Sequence, residues 1–283
     1  MPFFAIPYPN IDPVAVAIGP VAIKWYGLSY ATGLVLGWLY IRKLVSTDRL
    51  WAKGTAPFPV EKTDDLLIYI ALGVILGGRL GSILLYEPGA YLKHPLDIFK
   101  VWQGGMAFHG ALLGCGAAIW LFARRNTIST LSTMDLCAAT VPIGLFFGRL
   151  ANFINGELFG RPSTVPWSMV FPDAARQYPA IEPLTRHPSQ LYEATLEGLA
   201  LFLLLRVVTH SRLGLQSPGL VTGVFLIGYG GARSFCELFR QPDLQHAFTN
   251  SLLTPGITYS IPMVLLGIYF LRQASATRGN ATA

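Results

Sequence analysis

The sequence predicts an all-α polytopic membrane protein. It reads as seven transmembrane helices with the N-terminus periplasmic, the C-terminus cytoplasmic and a small irregular periplasmic cap. Three observations predict this. Of 283 residues, 52% are hydrophobic and only 13% charged, about half the charge of a soluble domain. The mean hydropathy is +0.47. The apolar residues also gather into runs of the length that crosses a bilayer, ~20 residues each.

The runs lie at Val21–Ile41, Leu66–Tyr86, Met106–Phe122, Met134–Ile154, Gln190–Val208, Gly219–Phe239 and Thr258–Leu271. Met1 to Asn10 has no basic region of the kind that opens a signal peptide, so the first run is read as a retained span. No internal repeat stands out, and residues 1–283 are expected to form a single integral membrane domain.

Basic residues orient the spans. One set of loops carries eleven: Arg42, Lys43, Arg49, Lys53, Lys62, Arg124, Arg125, Arg206, Arg212, Arg272 and Arg278. The opposite set carries seven: Lys24, Lys93, Lys100, Arg161, Arg176, Arg186 and Arg240. The first side is therefore assigned to the cytoplasm. The net charge of +6 is better explained by orientation against anionic lipid than by a nucleic-acid partner. The outer segment between the fourth and fifth spans, residues 156–188, holds Pro162, Pro166, Pro172, Pro179, Pro183 and Pro188. That proline density forbids a long helix and predicts the irregular cap. Cys115, Cys137 and Cys236 lie in apolar runs with no metal spacing, and read as small buried hydrophobes.

Charged groups at mid-bilayer cost ~3 kcal/mol each, so those that persist are functional or paired. In the sixth span Tyr229, Arg233 and Glu237 stand four residues apart on one helical face, and Arg240 follows. An internal Arg233–Glu237 ion pair would explain two of them. An anion site explains all four, because guanidinium matches phosphate with a rigid fork of donors. The fourth span ends in Gly148-Arg-Leu-Ala-Asn-Phe-Ile-Asn-Gly-Glu-Leu-Phe-Gly160. Arg149, Asn152, Gly156 and Gly160 fall at three- and four-residue steps, with Asn155 and Glu157 close by. Hydrogen bonds between helices are the alternative use for these groups.

Four further positions keep two readings each. His109, at the outer end of the third span among glycines, suits proton transfer or interhelical hydrogen bonding. Tyr26 suits a site or the interfacial aromatic belt. Arg79 suits a site or a structural pairing with an acid. In Arg186-His-Pro-Ser-Gln-Leu-Tyr-Glu193, His187 suits catalysis, while Ser189 and Gln190 suit capping and loop anchoring. The sequence has no phosphate-binding loop, no His-Glu-x-x-His and no nucleophile elbow, so metal or serine hydrolysis has no visible machinery.

The segment Gly148–Gly160 resembles the signature of the prolipoprotein diacylglyceryl transferases. Trp25-Tyr-Gly-Leu, Gly77-Gly-Arg-Leu-Gly, His109-Gly-Ala-Leu-Leu-Gly, Arg186 to Glu193 and Gly228 to Asp243 resemble the family's other motifs, in family order. The chain departs from the family pattern at Ala111 and Ile257, and its outer cap is short. The resemblance implies transfer of the diacylglyceryl group of phosphatidylglycerol to the lipobox cysteine of a preprolipoprotein signal peptide, with glycerol 1-phosphate leaving. It implies no cofactor and no metal, a bilayer partner, no nucleic acid, and the bacterial inner membrane. Carried over, Arg149 and Arg233 are the principal phosphate-binding and catalytic residues. Tyr26, His109, Asn152, Glu157, Gly160, Tyr229, Glu237 and Arg240 match positions in or beside the site. Rival readings fare worse. A CDP-alcohol phosphotransferase needs several membrane aspartates, and Asp135 is the only one within a span. A transporter commonly shows internal repeats, and a scaffold leaves the Tyr229, Arg233 and Glu237 stripe unexplained.

Overall fold

The computed structural model describes residues 6–9, 11–19, 21–86, 91, 95–100, 105–172, 174, 185–242 and 254–282. Among them the chain is mostly helical. The helices are α1 (Trp25–Val45), α2 (Lys62–Gly81), α3 (Phe108–Arg125), α4 (Thr130–Ile154), α5 (Ser189–Glu193), α6 (Leu201–His210), α7 (Leu220–Glu237) and α8 (Pro255–Thr282). A π-helical turn, Ala194–Ala200, joins α5 to α6 in one rod, and another, Ser82–Tyr86, continues α2. Seven rods result, each overlying one apolar run of the sequence. The stretches Lys62–Leu84 and Thr130–Ile154 are, by length and composition, long and apolar enough to cross a membrane.

The expectation of an all-α chain needs one correction. Strands β1 (Val14–Ile18) and β2 (Val21–Lys24) pair antiparallel ahead of α1. The first helix therefore starts at Trp25 and not Val21. Alternate β-branched residues favour strand on both arms, and Gly19 makes the reversal at φ +59°. A second short pair, β3 (Met169–Val170) with β4 (Thr185–Arg186), lies in the cap. The cap residues that the expectation rested on at Arg176, Pro179 and Pro183 lie outside the described residues. Among the described cap residues β3 and β4 are the strands, Pro172 and Ala174 are helical, and no long helix forms, as the proline density requires.

Packing is uneven along the bundle. Ile41, Leu44, Leu50, Trp51, Phe58, Leu66, Phe122, Leu136, Leu205 and Val221 form the main apolar core. They come from the end of α1, the loop after it and the same-side ends of the other rods. That end is the one assigned to the cytoplasm. Asp135 joins two rods there: its carboxylate accepts the Gly219 and Thr222 amides, both at 2.7 Å, and the Thr222 hydroxyl at 2.6 Å. It thus caps α7 from another helix.

Where bulk is absent, backbones touch. Gly73, Gly77 and Gly81 of α2 lie against Gly110 and Gly114 of α3. A Cβ on Gly77 would sit 2.7 Å from the Gly114 Cα, and one on Gly81 2.7 Å from the Gly110 Cα. Small residues at helical spacing permit this close approach in lipid. Gly33 meets Gly144 between α1 and α4, and Gly223 meets Gly267 between α7 and α8, in the same way. Leu72, Leu76, Leu112, Leu113, Leu203, Leu204, Leu265 and Leu266 point outward and are exposed. The cysteines are unpaired; Cys137 and Cys236 are buried, in line with their reading as small hydrophobes.

Candidate active site

The opposite end of the bundle is polar inside. The fourth rod ends at Ile154, the fifth begins at Ser189 and α7 ends at Glu237, so three helix ends converge. Each brings charge. Arg149 of α4 contacts Glu193 and Glu197, both at 3.1 Å. Arg233 of α7 contacts Glu193 at 2.8 Å, Glu237 at 2.8 Å and Glu197 at 3.7 Å. Arg240, just past α7, contacts Glu193 at 3.1 Å. The side chains of Glu193 and Glu197 have 0% exposure, and Arg149, Arg233 and Arg240 have 15%, 14% and 11%. Glu193 is the hub, bound to all three guanidinium groups.

The i,i+4 pair Arg233–Glu237 exists, but it is not self-contained, because Arg233 reaches Glu193 at the same distance. Tyr229, one turn back on α7, is half-buried against Phe225 at 5.8 Å and lies in the field of the Glu and Arg groups. Gly256 of α8 leaves room for the Glu237 carboxyl: a Cβ there would lie 2.6 Å from the Glu237 Cδ.

The turn after α4 supplies the rest. The Asn152 amide donates to Glu157 at 2.8 Å, and Asn155 does so at 3.4 Å. Gly156 takes φ +70°. Gly160 sits where three strands of chain meet. Its amide donates to the His187 carbonyl at 2.9 Å, and it bridges to Arg240. A Cβ at Gly160 would come within 2.7 Å of the Phe239 carbonyl oxygen, so only glycine fits. Tyr8 seals the end of α4 by donating to the Phe153 and Ile154 carbonyls, at 2.5 and 2.9 Å.

Tyr26 is exposed at the start of α1, with its hydroxyl 3.1 Å from Tyr30 and within electrostatic reach of Glu157 and Arg149. His109 is half-buried at the start of α3, and its described contacts are aromatic: Phe108 at 5.7 Å and Tyr259 of α8 at 5.2 Å. Arg79 turns out to serve structure, through backbone carbonyls. It donates to Ile98 at 2.9 Å, Gly105 at 3.2 Å and Asp97, and lies over the Tyr91 ring. Ser189 and Gln190 anchor loops, donating to the Leu158 and Glu157 carbonyls at 3.0 and 2.6 Å. They do not cap: Pro188 precedes α5 with no side-chain cap. His187 accepts or donates at Tyr192 (3.1 Å), which also takes the Trp167 indole N–H at 2.6 Å.

Sequence reasoning passed over Glu197 and treated Glu193 only as the end of a motif. Both sit four residues apart in an apolar run, and the cost argument applied to Arg233 would have singled them out equally.

Chemically, the arrangement offers several guanidinium donors in a cluster largely shielded from water. Glu193 Oε2, Glu197 Oε1 and Glu237 Oε2 lie near guanidinium nitrogens yet accept no well-aligned hydrogen bond. The guanidinium groups are thus neutralised without being saturated.

A profile of the prolipoprotein diacylglyceryl transferase family matches residues 13–272. The phosphatidylglycerol–prolipoprotein diacylglyceryl transferase of Rhizobium meliloti (strain 1021) is 50% identical over 277 residues, covering 98% of this chain and 96% of that protein. The protein of the same name from Methylocella silvestris is 54% identical over 266 residues, 94% of each chain. That from Agrobacterium fabrum is 50% identical over 275 residues, 96% of each chain. With Arg149, Glu193, Arg233, Glu237 and Arg240 gathered in one buried charge cluster and a match running nearly end to end, the chain belongs to the prolipoprotein diacylglyceryl transferase family of transferases.

Proposed function

We propose that this chain moves the diacylglyceryl group of phosphatidylglycerol onto the thiol of the lipobox cysteine in a preprolipoprotein signal peptide. This is the first step of bacterial lipoprotein maturation. The observation that carries the reading is the meeting of Arg149, Arg233 and Arg240 around buried Glu193, in a chain whose close relatives bear that enzyme's name. In the step proposed, the bond from glyceryl C3 to the phosphate oxygen breaks and a C3–sulfur bond forms. The thiol proton leaves, and glycerol 1-phosphate departs with the bonding pair.

Negative charge grows on the leaving phosphate. Arg149 and Arg233, preorganised in a low-dielectric cleft, are assigned to stabilise it; removing one such donor costs ~10²–10³-fold in rate. Glu237 is assigned to hold Arg233 in place, with Tyr229 one turn back on the same helical face. Asn152, Glu157, Gly160 and Arg240 shape the headgroup site. His109 is assigned to accept the thiol proton and Tyr26 to the rim of the lipid site. If His109→Gln keeps near-normal turnover, the base assignment is wrong.

The chain is proposed to be multi-pass in the inner membrane, with seven spans, the N-terminus periplasmic and the C-terminus cytoplasmic. Seven rods with exposed leucines on their outer faces suit lipid contact. Arg42, Lys43, Arg124 and Arg125 cluster at one end of the bundle, and the charge cluster lies at the other. The cap, 156–188, would then face the periplasm, where the signal peptide's cysteine emerges. A metal-free transfer assay in detergent tests the reading, with phosphatidylglycerol and a lipobox peptide. Lipidated peptide and free glycerol phosphate, both lost in Arg233→Ala, are expected. Bound phosphatidylglycerol without lipidated peptide would make the chain a lipid carrier and end the enzymatic reading.

A further inference from the structure

Arg161 follows Gly160 at the outer rim of the site and, unlike Arg149, Arg233 and Arg240, meets no carboxylate among the described residues. Its amide donates to the Phe239 carbonyl at 2.8 Å, its carbonyl accepts the His187 amide at 3.1 Å, and its Nε donates to the Arg240 carbonyl at 3.0 Å. These bonds pin the guanidinium beside Arg240. Both Nη groups have no partner among the described residues, and the side chain is half-buried. Arg186, nearby, is buried by contrast: it is 1% exposed, its Nη1 donates to the Gly160 carbonyl and to Gln241, and its guanidinium lies over the Phe159 ring.

The inner cluster is charge-balanced. Arg149, Arg233 and Arg240 face Glu193, Glu197 and Glu237, three against three. An anion entering there exchanges for a carboxylate without finding surplus positive charge. Arg161 adds a cation at the rim of that balanced cluster, with no carboxylate partner among the described residues. If the proposed reaction is right, the anion also changes during it. The phosphodiester of phosphatidylglycerol carries one negative charge, whereas a phosphate monoester carries roughly 1.5 to 2 near pH 7, its second pKa being ~6. The added charge calls for an added donor, and a free guanidinium fork binds phosphate oxygens in pairs.

We infer that Arg161 is the product-phosphate site: its free Nη edge receives the phosphate monoester as it leaves and holds it at the water-facing rim. This rests on the transferase reading above. Arg161 discriminates monoester from diester and so acts on product affinity more than on lipid affinity.

The test is titration of sn-glycerol 1-phosphate, and separately of inorganic phosphate, into the purified full chain in detergent, beside product inhibition in the transfer assay. Arg161→Gln is expected to weaken glycerol 1-phosphate binding about tenfold, the lower end for a hydrogen bond to a charged group at a half-exposed site. The KM for phosphatidylglycerol should move by less than about twofold, and Arg161→Lys should recover part of the loss. Unchanged product affinity in Arg161→Gln overturns the inference, and so does an equal loss of lipid affinity. Should that variant not fold, the wild type still decides: its affinity for glycerol 1-phosphate must tighten as pH rises through the second phosphate pKa of ~6. A flat profile overturns the assignment. If the wild type makes no lipidated peptide, both readings fall; if it turns over and product binding ignores Arg161, only this one does.

Discussion

Glu193→Gln removes one negative charge from the centre of the site and keeps the shape of the side chain. In the wild type that carboxylate touches Arg149, Arg233 and Arg240 at 3.1, 2.8 and 3.1 Å. After the change Arg149 still has Glu197 at 3.1 Å and Arg233 still has Glu237 at 2.8 Å. Arg240 keeps no carboxylate among the described residues, so the loss falls mainly on one cation with 11% side-chain exposure. Removing one partner of a buried pair costs ~3–5 kcal/mol. The amide oxygen still accepts a hydrogen bond, which argues for the lower figure. In a chain of this size ~3 kcal/mol lowers the melting temperature by roughly 6–12 °C. Arg149 and Arg233 also lose the shared group that fixes their separation, so kcat should fall at least about tenfold. The KM for phosphatidylglycerol should not rise, because the site gains net positive charge. Thermal unfolding in detergent and steady-state kinetics measure both. Glu237→Gln is the comparison: Arg233 keeps Glu193, so its shift in melting temperature should be about a third as large. A Glu193→Gln variant within about 2 °C and about twofold in kcat of the wild type would refute the hub role.

Gly77→Ala places a methyl 2.7 Å from the Gly114 Cα and should destabilise by ~1–3 kcal/mol as α2 and α3 are forced apart. Gly116→Ala on α3 meets nothing within 4 Å and should be neutral or stabilising in the same melting experiment. Asp135→Asn turns an acceptor of three hydrogen bonds into a group with donors facing donors, costing about 2 kcal/mol. Faster amide exchange at residues 219–222 should localise the effect. Burial holds the His187 imidazole below the usual histidine range. The folded state therefore binds fewer protons there than the unfolded one. That contribution to stability is present above the unfolded pKa of ~6.5 and is lost as pH falls through the folded pKa. His187→Gln should flatten the acid limb of the stability profile below about pH 6.5, and an unchanged limb would remove His187 from the account.

Much of this arrangement was legible before any coordinates. The seven rods follow the apolar runs because ~20 apolar residues between basic loops admit few other folds. The stripe Tyr229, Arg233 and Glu237 is local, so helical spacing alone puts it on one face. Asn152 and Glu157 also meet locally, through the turn at Gly156 just past the end of α4. What stayed hidden is non-local or hidden by composition. Val21-Ala-Ile reads as the start of a membrane helix because hydropathy does not distinguish strand from helix; the pairing with Val14–Ile18 decides. Arg79 finds acceptors on the backbone of Asp97, Ile98 and Gly105, and no side-chain pattern announces that. Tyr8 closes α4 across more than 140 positions. Glu193 and Glu197 were visible as charges, but which arginines they meet depends on how three helix ends converge.

The carboxylates bear on how a lipid phosphate can bind at all. Three unpaired guanidinium groups in a cleft away from water would each carry a desolvation penalty of several kcal/mol, and the bundle would relax to separate them. Glu193, Glu197 and Glu237 hold them together. Their imperfect alignment keeps the guanidinium donors available. On the proposed function, a phosphate arriving at Arg149 and Arg233 replaces one anion with another, and the donors are already aimed. Such an exchange favours modest lipid affinity with stabilisation reserved for the charge that grows as the phosphate leaves, the condition under which binding energy raises kcat. The division of the bundle serves the same end. The close-packed end, around Leu44, Leu136 and Val221, fixes the helices, and Asp135 fixes the start of α7. The opposite ends of the same rods can then carry charge that no apolar core would tolerate, at separations set by the rods and not by the charges themselves.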